Sequence, residues 1–365
     1  MIAYCTNVHP ARDLPGILAQ LDRHAVGVRE ALNLDTLPLG LWLPASVARG
    51  LVEDTSSRHR LGKELASRGL SVSTLNAFPY GDFHDTVVKH AVYHPDWADS
   101  RRMAYTADCA AVLADLLPDT SRYGSISTLP LGWRTPWAAW CDERAEEALT
   151  ELTRILRAES ARGGVPIRLA VEPEPGCVLD TVADAVGWLA GRVDPDYVGI
   201  CLDTCHLAVS FADPTGTVRA IRRSGLPVVK IQASAALEVM EPGTAEGRDA
   251  IARFAEPRYL HQVRENAPHG VLAADDLPEA LETLPGEHPW RVHFHVPLHT
   301  TPPAPITSTT AVLLETFDAL RATGDSAPHI EVETYTWNVL PAAGNLTEGI
   351  AAELRWARQH LRWGW

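Results

Sequence analysis

The chain has 365 residues, and 46% of them are hydrophobic, which is enough for a large buried core and excludes a disordered chain. Its 46 acidic residues against 32 basic ones leave a net charge of −14, a field that repels phosphate backbones and argues against nucleic acid as a partner. No run of about 18 apolar residues occurs, so no membrane span is expected.

The opening MIAYCTNVHP lacks the basic and apolar regions of a secretory signal, so a cytoplasmic protein is expected. Cys5, Cys109, Cys141, Cys177, Cys201 and Cys205 are scattered without CxxC spacing, which predicts reduced thiols rather than a zinc ribbon or a disulfide framework.

Eight short apolar strands are predicted in chain order: Ala3–Val8, Leu39–Leu43, Val72–Phe78, Ser125–Leu129, Ile167–Glu172, Val198–Asp203, Val228–Ala233 and Ile330–Tyr335. Helical periodicity fills most of the gaps. Glu143–Glu159 carries Leu149, Leu152, Ile155 and Leu156 on one face; Ala183–Leu189 is another such stretch, and Leu346–Leu361 follows the last strand. Eight strand-then-helix units predict an α/β fold, a (β/α)8 TIM barrel, as a single domain over 1–365. The alternative, an open doubly wound sheet, usually shows a glycine-rich turn after the first strand, and TNVHP has none.

Two connections are longer than a crossover needs. Tyr80–Trp97, after the third strand, is rich in histidine and aromatics. The second, 237–327, is an insertion between strands seven and eight; it holds RVHFHVP (Arg291–Pro297), read as an extra strand, and the proline-rich loop Thr300–Ile306. Long loops at the carboxyl ends of strands usually shape an active site.

The segment VGICLDTCH carries the strongest chemical signal. Its apolar run ends at Asp203, with His206 three residues on. The pair reads either as a helix cap with a first-turn histidine or as two groups meeting one metal ion or substrate. Strand alternation sets further polar side chains on common faces: Glu172 with Glu174, Lys230 with Gln232 and Ser234, His293 with His295, and Glu331 with Glu333. Unpaired charges inside a dry barrel cost several kcal/mol each, and a bound cation offsets that cost. The expected ligand set is Glu172, Asp203, Gln232 and Glu333, with His206 and His295 nearby. Such oxygen-rich donors suit Mn2+, Mg2+ or Co2+, with Zn2+ entering as the histidine count rises. The competing reading is a metal-free network salt-bridged through Lys230 and neighbouring arginines.

The expected substrate-facing set is Asn7, His9, Asn76, His84, Lys230, His293 and Trp133. Lys230 reads as a phosphate contact or as the counter-charge of Glu331; the second is favoured because no glycine loop is present to cradle a phosphate. His84 and His94 read as substrate contacts or as solvated loop residues. Trp42, Phe78, Trp133 and Tyr335 read as pocket walls or as ordinary packing, and His261 and Gln262 as a polar patch of the insertion.

LDTCH, VEPEPG and VETYTW, in this order on successive strands, resemble the xylose-isomerase-like TIM barrel superfamily, which holds sugar isomerases, sugar epimerases and the endonuclease IV type of nuclease. YCTNVHP, NAFPYGDFH, VKHAVYHPDW, GSISTLPLGW, KIQASAAL, YLHQV and VHFHVP resemble, over nearly the whole chain, the EboE-type metabolite-traffic proteins of ebo gene clusters. The resemblance implies Glu172, Asp203 and Glu333 as metal ligands, with His206 on substrate or metal. It places a histidine on strand seven where this chain has Gln232, so that ligand is altered or is supplied by His295 or His293. It further implies a divalent-metal-dependent isomerase or epimerase, in which Glu172 and Glu333 move a proton through an enediolate while His206 orients a hydroxyl. The gene neighbourhoods of that family, with a sugar-phosphate-cyclase-like protein and a prenyltransferase, imply a small-molecule metabolite (a sugar, cyclitol or prenylated compound) and partner proteins of the same pathway. Two other readings stay open: a non-catalytic binding or traffic protein, and a metal-dependent phosphodiester hydrolase. An oligomer is compatible with all three.

Overall fold

A computed structural model describes residues 2–341 and 344–363. Seven strands follow one another in chain order: β1 (Ile2–Cys5), β2 (Leu37–Trp42), β3 (Leu70–Asn76), β4 (Gly124–Thr128), β5 (Ile167–Val171), β6 (Val198–Asp203) and β7 (Val228–Ala233). An insertion then contributes β8 (Leu237–Val239), β9 (Val263–Ala267), β10 (Gly270–Ala274), β11 (Trp290–Val292) and β12 (Ile306–Ser308), and β13 (His329–Val332) returns to the barrel. Each of β1 to β7 pairs with the next, and β13 closes the ring between β7 and β1; every one of these pairings is parallel. The expected eight-stranded barrel is therefore present, and no described helix is long and apolar enough to cross a membrane. All six cysteines are buried and free.

The strands form where the sequence is continuously apolar, because both faces are covered: β2 and β6 are buried at every position. The helix spanning Ala139–Gly163 turns Leu149, Leu152 and Leu156 onto the sheet and ends at Gly164, whose φ of 73° is the left-handed conformation a C-terminal glycine supplies. The capping box of Thr181 and Asp184 starts the helix Val182–Leu189.

Several strand ends need correction, among them that of β13, which stops at Val332 rather than Tyr335, with a 3-10 turn over Tyr335–Val339. The first strand stops at Cys5, and Thr6–Val8 forms a 3-10 turn that swings Asn7 over the barrel mouth. The extra strand is only Trp290–Val292, not Arg291–Pro297. Beyond Val292 the backbone leaves the ladder, since His293 N–H donates to Gln262 O and Val296 N–H donates to Ala235 O. That change of partners carries His293 and His295 across the carboxyl ends of the barrel strands. The insertion also contains more than one strand: its five form an antiparallel sheet in the order β10-β9-β11-β8-β12.

Deep in the barrel, Lys230 on β7 and Glu331 on β13 form an ion pair at 2.5 Å, both side chains fully buried. Gly40 on β2 makes room for it, since a Cβ there would lie 1.0 Å from Glu331 Oε1.

Candidate metal centre and active site

Three carboxylates stand at the carboxyl ends of adjacent or near-adjacent barrel strands. Glu172 follows β5, Asp203 ends β6 and Glu333 follows β13; one oxygen of each lies within 4.8 Å of the others, and all three side chains are buried. Asp203 is the helix cap its sequence context suggested. Its Oδ1 caps the next helix by accepting from His206 N–H at 2.9 Å, and it also accepts from Ser234 Oγ at 2.8 Å. Its Oδ2 is left without a hydrogen-bond partner. Glu333 Oε1 accepts from Asn7 Nδ2 at 2.7 Å and Asn76 Nδ2 at 2.9 Å. Gln232 pairs in register with Asp203 on one side and Glu331 on the other.

Buried polar atoms without partners collect here. They are Glu172 Oε2, Asp203 Oδ2, both polar atoms of the Gln232 amide and His295 Nε2. Leaving each so costs about 1–3 kcal/mol. Burial and the neighbouring carboxylates Glu333 and Asp203 push the Glu172 carboxyl well above the usual range, and burial with Asp203 and Glu331 lifts Glu333 to about 8. One cation among these atoms relieves both problems at once, and three carboxylates with an amide oxygen are the donors a hard or borderline divalent ion prefers. The residues present thus fit a divalent cation.

A tier of histidines lies above this floor. His206 Nδ1 donates to Pro173 O at 2.9 Å, His293 Nδ1 donates to Gln262 Oε1 at 2.6 Å, and His295 Nδ1 donates to Glu333 O at 2.7 Å. Gln262 Nε2 in turn donates to Pro175 O at 2.9 Å and to Glu174 Oε1 at 3.2 Å. Tyr93 O–H also donates to Glu174 Oε1, at 2.7 Å. Burial lowers the His295 imidazole to about 4, and burial with His206 and His295 nearby lowers His293 well below its ordinary value. Above the histidines opens a narrow cavity walled by Phe78, Phe83, Tyr93, Tyr259 and Tyr335. The ammonium of Lys89 at its rim is paired with Asp276.

The family model described as "Xylose isomerase-like TIM barrel" matches residues 38–264. The chain belongs to the xylose isomerase-like TIM barrel family. Solved structures similar to it include a D-psicose 3-epimerase in the presence of D-fructose (13% identity, 99% of each chain covered, TM-score 0.52). An L-ribulose 3-epimerase is similar at 15% identity, covering 99% of this chain and 94% of its own, with a TM-score of 0.52. A D-psicose 3-epimerase with D-tagatose from Clostridium cellulolyticum H10 is similar at 14% identity, 99% of each chain and a TM-score of 0.51. At these identities the likeness speaks for the xylose isomerase-like fold. No curated protein matches the chain.

Within this xylose isomerase-like barrel, Asn7, Asn76, Glu172, His206, His293, His295 and Glu333 line the cavity together. Gln232 lies under it, fully buried, beside Asp203. Four residues of the expected substrate-facing set do not line the cavity. Lys230 lies beneath the floor on Glu331, as the counter-charge reading has it, because a lone buried carboxylate there would be unpaired. Trp133 is packed outward between Tyr93 and His90, and its ring fills the space a side chain at Gly176 would need. His84 donates to Asn7 O at 2.7 Å and so braces the turn that presents Asn7. His9 turns away to the Tyr4 hydroxyl at 3.1 Å and stacks on His24. His94 is exposed, while Trp42 donates its indole N–H to Pro79 O in the barrel wall.

Sequence reasoning missed Tyr93, Tyr259 and the role of Gln262. Tyr93, at the end of a 3-10 turn over Lys89–Tyr93, and Gln262, in the insertion, meet at Glu174, and nothing local in either segment marks that meeting.

His9 carries a pH prediction. Burial, with His24 and His84 nearby, pushes it from 6.5 down to about 3. The folded form keeps His9 neutral, so its contribution is full above about pH 6.5 and is lost as pH falls toward 3. Urea midpoints measured from pH 7 to pH 4 are expected to fall, and His9→Phe to flatten that fall, although it leaves the Tyr4 hydroxyl unpaired. An unchanged slope in the variant refutes the assignment to His9.

Proposed function

We propose that this protein is a divalent-metal-dependent isomerase or epimerase of a sugar, cyclitol or related polyol, built as one barrel domain with 237–327 as its insertion. The observation that carries this reading is the cluster of Glu172, Asp203 and Glu333, with partnerless buried atoms of Gln232 and His295 beside it, on the floor of a small-molecule cavity. A bound cation would supply polarisation of a substrate carbonyl and its neighbouring hydroxyl. Glu172 and Glu333 take the acid and base roles at the carbon between them. Asn7 and Asn76 fix the Glu333 carboxylate by donating to Oε1, leaving Oε2 to face the reacting carbon. His206 and His293, with Nε2 turned into the cavity, meet the substrate hydroxyls. The aromatic walls shield the site from water.

The cavity favours an uncharged substrate. The cation at its rim, Lys89, is already neutralised by Asp276, which counts against both a sugar phosphate and a phosphodiester. The motif likeness to EboE-type proteins supports a metabolite made or exported by a multi-protein pathway, with other pathway proteins as partners, and six free buried cysteines support a cytoplasmic setting. Gln232, where the family resemblance places a histidine, favours a second reading, a metabolite-binding or traffic protein without turnover.

Metal analysis of purified protein tests the first step. The wild type is expected to retain a divalent ion and Asp203→Ala to lose it; no divalent ion in the wild type overturns the reading. Proton exchange into a panel of ketoses and cyclitol ketones in deuterated water then separates the two roles. Exchange at the carbon beside the carbonyl supports the enzyme, and binding without exchange supports the traffic protein.

A further inference from the structure

Glu353 is a buried carboxylate that the proposed chemistry leaves unused. It lies on the helix Leu346–His360 and is 1% exposed. Its Oε1 accepts from the Leu298 N–H at 3.0 Å and from the Thr334 hydroxyl at 2.8 Å, and its Oε2 accepts from the Trp337 indole N–H at 2.9 Å. Gly349, one turn earlier on the same helix, admits that indole, since a Cβ there would lie 2.3 Å from the ring. The three donors sit on two segments that reach the cavity. Glu333 and Tyr335, flanking Thr334, line it, and so does His295, three residues before Leu298. The two segments are also tied to each other: His295 Nδ1 donates to Glu333 O at 2.7 Å, and the Thr336 hydroxyl donates to His295 O.

Docking the helix does not require this carboxylate. Ile350, Leu354 and Ala357 already bury its apolar face. A buried acid among neutral donors is costly, and burial pushes Glu353 up to about 7 against the pull of its three hydrogen bonds. What two carboxylate oxygens add is direction, because they hold three donors at fixed points on both segments. We propose that Glu353 is a positioning residue of the site, which sets the Glu333 carboxylate through Thr334 and the His295 ring through Leu298. The role rests on the proposed metal centre, to which Glu333 contributes a carboxylate and beside which His295 Nε2 stands without a partner.

The test is binding of Co2+ alone to chelated protein, followed by its visible absorption, with thermal melts alongside. In Glu353→Gln the amide keeps the shape, but whichever way it turns, its NH2 opposes the N–H of Leu298 or of Trp337. Co2+ is expected to bind about 10–100-fold more weakly than in the wild type, with a changed visible spectrum. Adding Trp337→Phe removes the opposed N–H and is expected to restore most of the affinity. Ile350→Ala loosens the same helix without touching the acceptors; it is expected to lower the melting temperature and leave Co2+ affinity and spectrum unchanged. Thr334→Val cuts the tie beside Glu333 while the carboxylate stays in place. It is expected to weaken Co2+ in the same sense, and it reads the role if Glu353→Gln does not fold. Co2+ bound by Glu353→Gln and Thr334→Val as in the wild type overturns the positioning role and leaves the proposed function standing. An equal loss in Ile350→Ala overturns it too, because helix docking alone then explains the effect. No Co2+ bound by the wild type overturns the metal centre and this role together.

Discussion

Lys230→Met is expected to destabilise the protein by about 3–5 kcal/mol, more than any surface change. The ammonium sits 2.5 Å from Glu331 Oε2, with both side chains fully buried, and it also donates to Ser127 Oγ at 3.1 Å. Removing it leaves the Glu331 carboxylate uncompensated in a low-dielectric barrel. The carboxylate has nowhere to go, since Gly40 on β2 is already the residue that makes its space. Removing both charges is a milder change, because an apolar pair of similar volume carries no desolvation penalty. The double variant Lys230→Met, Glu331→Leu is therefore expected to recover most of the loss. Urea unfolding of the two variants and the wild type measures this. A single variant as stable as the wild type contradicts the account of the ion pair.

Glu172→Gln is expected to cut proton exchange into the substrate by about 10²–10⁴-fold, the usual contribution of a positioned acid or base. The fold should survive, because the amide is isosteric and Glu172 Oε2 makes no protein hydrogen bond. The same variant has a second signature in chelated protein. Burial and the charges of Glu333 and Asp203 raise the Glu172 carboxyl well above its ordinary 4.5. Between 4.5 and that raised value the folded state binds more protons than the unfolded one, so metal-free wild type loses stability as pH rises through this window. Glu172→Gln should remove this loss and be the more stable of the two metal-free proteins at pH 8. Equal pH slopes with unimpaired exchange would mean that Glu172 is neither crowded nor catalytic.

Much of the barrel is legible in the sequence because its signals are local. Each strand is a short apolar run, and β6 and β7 have the bounds the sequence predicts, since β6 is buried at every position and β7 at all but its first. Strand ends are less legible at β1 and β13, where turns take over and the hydrogen-bond partners are distant in sequence. The insertion is the least legible part. Its three-residue strands β8, β11 and β12 are too short to show periodicity, and they exist because they pair with one another. Asp203 illustrates why choosing between cap and ligand from sequence is a false choice: a carboxylate has two oxygens, and here one caps the helix while the other is free.

The sequence by itself determined the fold class and the positions of Glu172, Asp203 and Glu333 at strand ends, because strand period and strand termination are written in neighbouring residues. Only the tertiary structure decided which polar side chains share the cavity. It turned His9 toward Tyr4, and brought Gln262 and His293 from the insertion onto His206 and Glu174. These pairings join segments far apart in the chain, and their selection comes from satisfying buried charges and hydrogen bonds once the barrel is closed. Local sequence pattern carries no record of that constraint.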